Sequence, residues 1–309
     1  MKIVALAGGV GGAKLADGLA QILSPDELTI VVNTGDDFEH LGLSISPDLD
    51  TVCYTLAGLA NPDTGWGRIE ETYNMLDALA ALGGEIWFRL GDKDLATHLE
   101  RSRRLHAGMT LAQVTQDFCQ VWGVDHGILP MSNDPVRTLV ETVNDGVLSF
   151  QDYFVRQRCE PKVKAFRFEG IESARAAPGV LESIETADAI VFCPSNPWVS
   201  IDPILAVAGI RPSIAKKKVV AVSPIIAGKT VKGPAAKMYS ELGIQPSAMS
   251  VADHYHGLLS GFILDKMDAV YSKDLQRSGV HVSETNTLMK SQGDRRRLAE
   301  DVLNLIRIL

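Results

Sequence analysis

The residues best suited to chemistry come at the start of the chain, in Gly8-Gly9-Val10-Gly11-Gly12-Ala13-Lys14. An apolar run from Ile3 to Ala7, short enough for a buried strand, precedes them. Residues at helical spacing, Leu15, Leu19, Ile22 and Leu23, follow. A strand, a glycine turn and a helix in that order let backbone N–H groups of Gly9, Gly11 and Gly12 approach an anion. The positive end of the helix would face it, with Lys14 adding a full charge. The spacing fits neither standard template: a dinucleotide fingerprint starting at Gly9 would need glycine where Lys14 stands, and a P-loop would need Lys after Gly12, where Ala13 stands. A plain tight turn is the bland alternative. If the turn is a phosphate cradle, a β-branched residue at Gly11 or Gly12 should remove ligand binding and spare the fold.

A second group is acidic. Asp36 and Asp37 follow the apolar run Leu28–Asn33, and Asp48 and Asp50 stand in Ser46-Pro-Asp-Leu-Asp-Thr51. Both segments are expected as loops on the sheet edge that carries the glycine turn, so phosphate and carboxylates could share one crevice. Few carboxylates beside phosphate suggest magnesium, with water and phosphate oxygens completing its coordination. Each aspartate alone reads as a solvated loop residue, or, for Asp50, as the N-cap of a helix over Thr51–Leu59.

Other candidates are scattered. Glu85–Leu90 reads as a short strand whose Trp87, Phe88 and Arg89 could offer a ring surface and a cation to an aromatic ligand; core packing accounts for one of the two aromatics equally well. Ser195 and Asn196, between Pro194 and Pro197, can hydrogen-bond a base or sugar or simply form a turn. Ser223–Thr230 imitates a P-loop without its first glycine, which excludes a Walker NTPase and leaves Lys229 or the Gly228 amide as phosphate contacts. His254 and His256 lack a third ligand at a recognisable spacing and read as structural. Arg101, Arg103 and Arg104 read as a solvated helix face.

These residues need an α/β framework to position them. Apolar strands at Ile3–Ala7, Leu28–Asn33, Ala187–Cys193 and Val219–Val222 alternate with helical patterns, which predicts an α/β fold with a mostly parallel sheet and flanking helices, taken as a single domain, 1–309. Helices are expected over Arg68–Leu82, Asp94–Arg104, Thr110–Trp122 (capped by Thr110), Phe150–Arg158 and Arg295–Leu309. Strands are expected at Gly127–Met131, Val136–Val143, Lys164–Phe168 and Asp268–Tyr271. The stretch from about 95 to 180 breaks the alternation and reads as a partly helical insertion covering one side of the sheet.

Net charge −8, with 46% hydrophobic and 22% charged residues, disfavours a nucleic-acid or anionic-membrane binder. Four widely spaced cysteines, Cys53, Cys119, Cys159 and Cys193, suggest buried thiols in a reducing compartment. With no signal or spanning segment in the sequence, a cytoplasmic location is expected. Asn33 stands where an NAD-binding unit carries its acidic residue, which counts against a dehydrogenase.

Six stretches, in order along most of the chain, resemble one family, the 2-phospho-L-lactate transferases that assemble the deazaflavin coenzyme F(420). They are Ala7–Lys14, Val32–Asp37, Pro47-Asp-Leu-Asp-Thr51, Gly91-Asp-Lys-Asp-Leu-Ala-Thr-His98, Pro194–Pro197 and Ser223–Lys229. The resemblance implies a Rossmann-like α/β fold and a magnesium-dependent transfer of a lactyl or enolpyruvyl phosphate from a guanosine-diphosphate-linked donor to the terminal ribityl hydroxyl of a deazaflavin, releasing GMP. It assigns the diphosphate to the glycine turn and Lys14, magnesium or the attacking hydroxyl to Asp37 and Asp50, and any general base to one of these two. The deazaflavin falls to Asp50 and Arg89, with Trp87 and Phe88 as ring surface and Asn33 nearby, and the nucleoside to Ser195 and Asn196. A homodimer is also implied. The runner-up is a related regulatory protein that binds nucleotide sugars without catalysis; the aromatic-arginine segment and the Pro-Asp-Leu-Asp loop favour the transferase.

Overall fold

A computed structural model describes all 309 residues. The strands are β1 (Ile3–Ala7), β2 (Leu28–Val32), β3 (Phe38–His40), β4 (Leu43–Ile45), β5 (Gly127–Pro130), β6 (Arg137–Thr142) and β7 (Val147–Ser149). They continue with β8 (Val163–Glu169), β9 (Ala189–Phe192), β10 (Lys218–Val222), β11 (Ile225–Ile226), β12 (Lys229–Thr230), β13 (Gly261–Asp265) and β14 (His281–Thr285). Seven of them form one sheet in the order β14-β13-β10-β9-β1-β2-β5. Every pairing in it is parallel. The first five helices are α1 (Gly9–Ala20), α2 (Pro47–Leu56), α3 (Asn74–Ala81), α4 (Asp92–His106) and α5 (Leu111–Val121), and the last spans Gln292–Ile308.

A parallel sheet is covered on both faces, so its strands are apolar throughout rather than alternating. β1 shows this: Ile3, Ala5 and Ala7 join the core beneath α1 and the C-terminal helix, while Val4 and Leu6 join the opposite core. No helix is long and apolar enough to cross a membrane.

The stretch from 95 to 180 divides. β5 within it is an edge strand of the main sheet, with α5 packed beside it. Only the antiparallel sheet β7-β6-β8 and its π-helical turn, Asp152–Arg156, lie outside that framework. The expected strand at Glu85–Leu90 is absent, and the helix expected from Arg68 begins only at Asn74. Trp87 and Phe88 both pack on the β3 ring pair, Phe38 against Phe88 at 4.9 Å and His40 against Trp87 at 5.2 Å, so they do not alternate across a sheet. No strand forms at Asp268–Tyr271: β13 ends at Asp265, whose side chain accepts the Met267 N–H as the chain turns into a 3-10 helix over Lys266–Tyr271. The cap at Thr110 is as expected, reinforced by Gln113 in a reciprocal capping box.

The order of the sheet reverses between β1 and β9, and the chain is drawn tightest there. Ser195, just beyond β9, accepts the Gly8 N–H at 3.1 Å and donates to the Gly8 carbonyl at 2.7 Å. A Cβ at Gly12 would stand 2.5 Å from Ser195 Oγ and 3.2 Å from the Cα of Ala7, and one at Gly11 would strike the Pro194 carbonyl. These two glycines exist for close packing, so the fold is not spared when they are filled. Gly12→Val should lower stability by about 2 kcal/mol or more, read as a fall in Tm together with any loss of ligand binding. A variant with unchanged Tm would contradict this packing.

Candidate active site

A cavity of about 670 Å³ opens at the carboxyl ends of the strands, on the reversal between β1 and β9. Its floor is the start of α1, where Gly8, Gly9, Gly11 and Lys14 line it; Gly12 does not. Lys14 donates to the Met289 carbonyl at 2.9 Å. Burial, followed by the charges of Arg295 and Lys232, holds its pKa below the usual lysine range.

The helix α2 begins at Pro47, with Ser46 at its N-cap position, so Asp48 and Asp50 stand in its first turn instead of on a loop and Asp50 is not a cap. Their carboxylates reach outward. Asp48 accepts the Gly9 N–H at 2.7 Å and the Asn33 amide at 2.9 Å, so Asn33 orients Asp48 and does not itself line the cavity. Burial nevertheless raises the Asp48 pKa to about 6. Asp36 also lines the cavity; burial and then the Asp48 charge push it well above the carboxylate range, and its Oδ1 has no partner. Asp37 is turned away. It accepts from Ser46 at 2.7 Å, lines a separate cavity of about 160 Å³ with Arg137, and is raised by burial to about 7.

The second wall is α4. Asp94, His98 and Arg101, one helical face at i, i+4 and i+7, turn toward α2. Arg101 is 3% exposed, a correction to its reading as part of a solvated face with Arg103 and Arg104. Its guanidinium holds both oxygens of Asp50, with Nη1 to Oδ2 at 3.1 Å and Nη2 on Oδ1. Tyr54, one turn along α2 from Asp50, donates to Asp94 at 2.8 Å. Burial alone would raise Asp94, but His98 and Tyr54 outweigh it and the net shift is downward.

Asp50, Asp94 and His98 bring ligand atoms within 4.8 Å of one another, a spacing a metal could use. Arg101 already supplies the cation there. Its Nη1 lies 3.1 Å from His98 Nδ1, and since a guanidinium can only donate, Nδ1 accepts and Nε2 carries the hydrogen. Neither nitrogen then offers a lone pair to a metal.

The remaining wall is irregular. Phe88 and Arg89 line the cavity, with Arg89 4.1 Å over the Tyr73 ring, whereas Trp87 lies behind them under Arg156. Asn196 lines the cavity while its side chain accepts the Trp198 N–H at 3.1 Å, and the Ser195 hydroxyl is occupied by Gly8. Lys229 is exposed outside the cavity; Lys232 faces it instead, donating to the Thr64 carbonyl. His254 pairs with Asp202 at 2.9 Å and His256 is exposed, so the two form no shared site. Sequence reasoning missed Tyr54, Asp94, His98, Arg101 and Lys232. The helical spacing of Asp94, His98 and Arg101 was the signal available for the α4 residues.

The family model of the 2-phospho-L-lactate transferase CofD matches residues 3–304. The chain is 43% identical over 312 residues to a phosphoenolpyruvate transferase of Streptomyces griseus, covering 99% of this chain and 98% of that one. It is 41% identical over 301 residues to a 2-phospho-L-lactate transferase of Methanosarcina mazei, covering 97% and 99%. A crystal structure of a UPF0052-family protein from Bacillus halodurans shares the fold, with a TM-score of 0.65 at 18% identity over 98% of each chain.

Two measurements check the electrostatics. A carboxyl whose pKa is raised by folding binds its proton more tightly in the folded state, so its contribution is fully present below the unfolded value and is lost as pH rises through the folded one. For Asp37 that window closes at about 7. Asp37→Asn should therefore raise Tm at pH 7.5 by about 2 °C or more, and the gain should shrink toward pH 5. Equal Tm values at pH 7.5 would contradict the buried setting. Arg101→Met leaves Asp50 buried and unpaired and should cost about 3 kcal/mol or more in chemical denaturation, with Asp50→Asn in the same chain recovering part of it.

Proposed function

Because this chain belongs to the 2-phospho-L-lactate transferase CofD family, we propose that it acts in coenzyme F(420) biosynthesis as follows. A 2-phospholactyl or enolpyruvyl phosphate group passes from a guanosine-diphosphate-linked donor to the terminal ribityl hydroxyl of a deazaflavin, releasing GMP. One observation carries the reading: a single cavity joins an anion-binding end, built from the start of α1 with Lys14, to an aromatic-cationic end, built from Phe88 and Arg89.

The reaction is an in-line displacement. The acceptor hydroxyl oxygen bonds to the phosphorus distal to guanosine, the bond from that phosphorus to the bridging oxygen breaks, and GMP leaves with the electron pair as the hydroxyl proton is lost. Such transfers depend on positioning and charge stabilisation and need no covalent nucleophile. The α1 backbone and Lys14 orient the diphosphate and offset its charge. Asn196 faces the nucleoside, and Phe88 with Arg89 holds the deazaflavin ring. Asp50 borders the acceptor as half of an ion pair; with both oxygens on Arg101 it orients groups there.

Magnesium fits the pair Asp36 and Asp48 better than Asp37 and Asp50. The first two are buried, face the cavity and repel each other, and Asp36 Oδ1 lacks a partner. Bound there, magnesium would neutralise charge on the phosphoryl oxygens.

Incubation with deazaflavin, magnesium and each donor in turn, with products identified by mass, should give the phosphodiester of one donor together with GMP, and EDTA should suppress it. No phosphodiester from either donor would overturn the reading.

A further inference from the structure

The mechanism leaves one pair of cavity atoms unexplained. His98 Nε2 is buried without a hydrogen-bond partner, on a side chain 2% exposed. Asp94 Oδ2 lies 3.5 Å from it, too far for a good hydrogen bond. Tyr54 occupies the other Asp94 oxygen.

The orientation of this pair is fixed from behind. Asp50 holds Arg101, and Arg101 donates to His98 Nδ1, so the hydrogen stays on Nε2, on the side of Asp94 Oδ2. The cavity wall there holds one donor and one anionic acceptor side by side, 3.5 Å apart. A hydroxyl, like the water it would displace, satisfies both, accepting from Nε2–H and donating to Oδ2. A carbonyl would satisfy only the donor, and a phosphate would be repelled by Asp94.

We propose that His98 and Asp94 form a hydroxyl-binding clamp in the acceptor wall, which recognises one hydroxyl of a sugar-alcohol chain and so sets the position of the acceptor. The inference rests on the transferase reading above, whose acceptor carries such a chain. His98 is a positioning residue here and takes no part in bond making.

Binding of deazaflavin, followed by its fluorescence, tests the clamp alongside analogues that each lack one non-terminal ribityl hydroxyl. His98→Ala should weaken deazaflavin binding about ten- to hundred-fold and leave the KM for the donor unchanged. His98→Gln, which restores an uncharged N–H donor, should recover part of the loss. One analogue should bind the wild-type protein weakly and lose nothing further in His98→Ala. In the ligand-free protein, ¹⁵N spectra of labelled histidine should show hydrogen on Nε2 of His98.

Equal losses for every analogue, no change in deazaflavin affinity, or hydrogen on Nδ1 would overturn the clamp while leaving the transferase reading in place. Failure of the wild-type protein to bind deazaflavin at all would overturn both.

Discussion

Buried negative charge is the constraint that shapes this site. Asp36, Asp37, Asp48 and Asp50 are all buried in a chain that already carries a net charge of −8. Removing a carboxylate from water costs several kcal/mol unless charge or hydrogen bonds replace the lost solvation. The fold answers differently at each position. Asp50 receives a whole guanidinium, Asp48 two N–H groups, Asp37 a single hydroxyl on one oxygen, and Asp36 is left with an unsatisfied Oδ1. The raised pKa values of Asp36, Asp37 and Asp48 follow from that shortfall. It also leaves uncompensated negative charge at the cavity-facing end of this group.

The same electrostatics lock the helices together. Asp48 in the first turn of α2 closes on the first amide of α1, so the positive ends of two helices meet at one carboxylate. Arg101 ties α4 to α2 through Asp50 and then fixes the imidazole of His98. The Gly91-Asp-Lys-Asp motif has a matching structural use. Asp92 accepts N–H groups at the start of α3, while Glu71 accepts the Lys93 and Asp94 N–H groups at the start of α4. Each helix start is held by an acidic residue at or just before the start of the other.

The segment between α2 and α4 is built on different terms. None of the residues from 57 to 89 is buried, although several of them close the cavity. Arg68 over the rings of Tyr54 and Trp122, Arg89 over Tyr73, and Lys232 on the Thr64 carbonyl hold it in place. Polar and cation–π contacts of this kind contribute little compared with a packed core, so this wall has lower local stability than the sheet that carries the glycine turn.

The sequence by itself determined the sheet and the glycine turn. Strands buried on both faces must be apolar throughout, and β1, β2, β9 and β10 are readable for that reason. Four glycines between a strand and a helix announce a close approach, and Thr110 announces a helix start, because these are local properties of the chain. What the sequence could not decide is which polar side chains turn inward. Arg101 differs from Arg103 and Arg104 only in the helix face it occupies, and that face is buried only because α2 lies against it with Asp50. Asp37 and Asp48 read alike as acidic residues near a phosphate loop, yet the path of the chain after β2 sends one to a side cavity and the other to the start of α1. Trp87 and Phe88 were legible as aromatics but not in their partners, since the rings they meet, on Phe38 and His40, lie far away in sequence. Burial and pairing of charge depend on neighbours brought from other segments, so only the tertiary structure settles them.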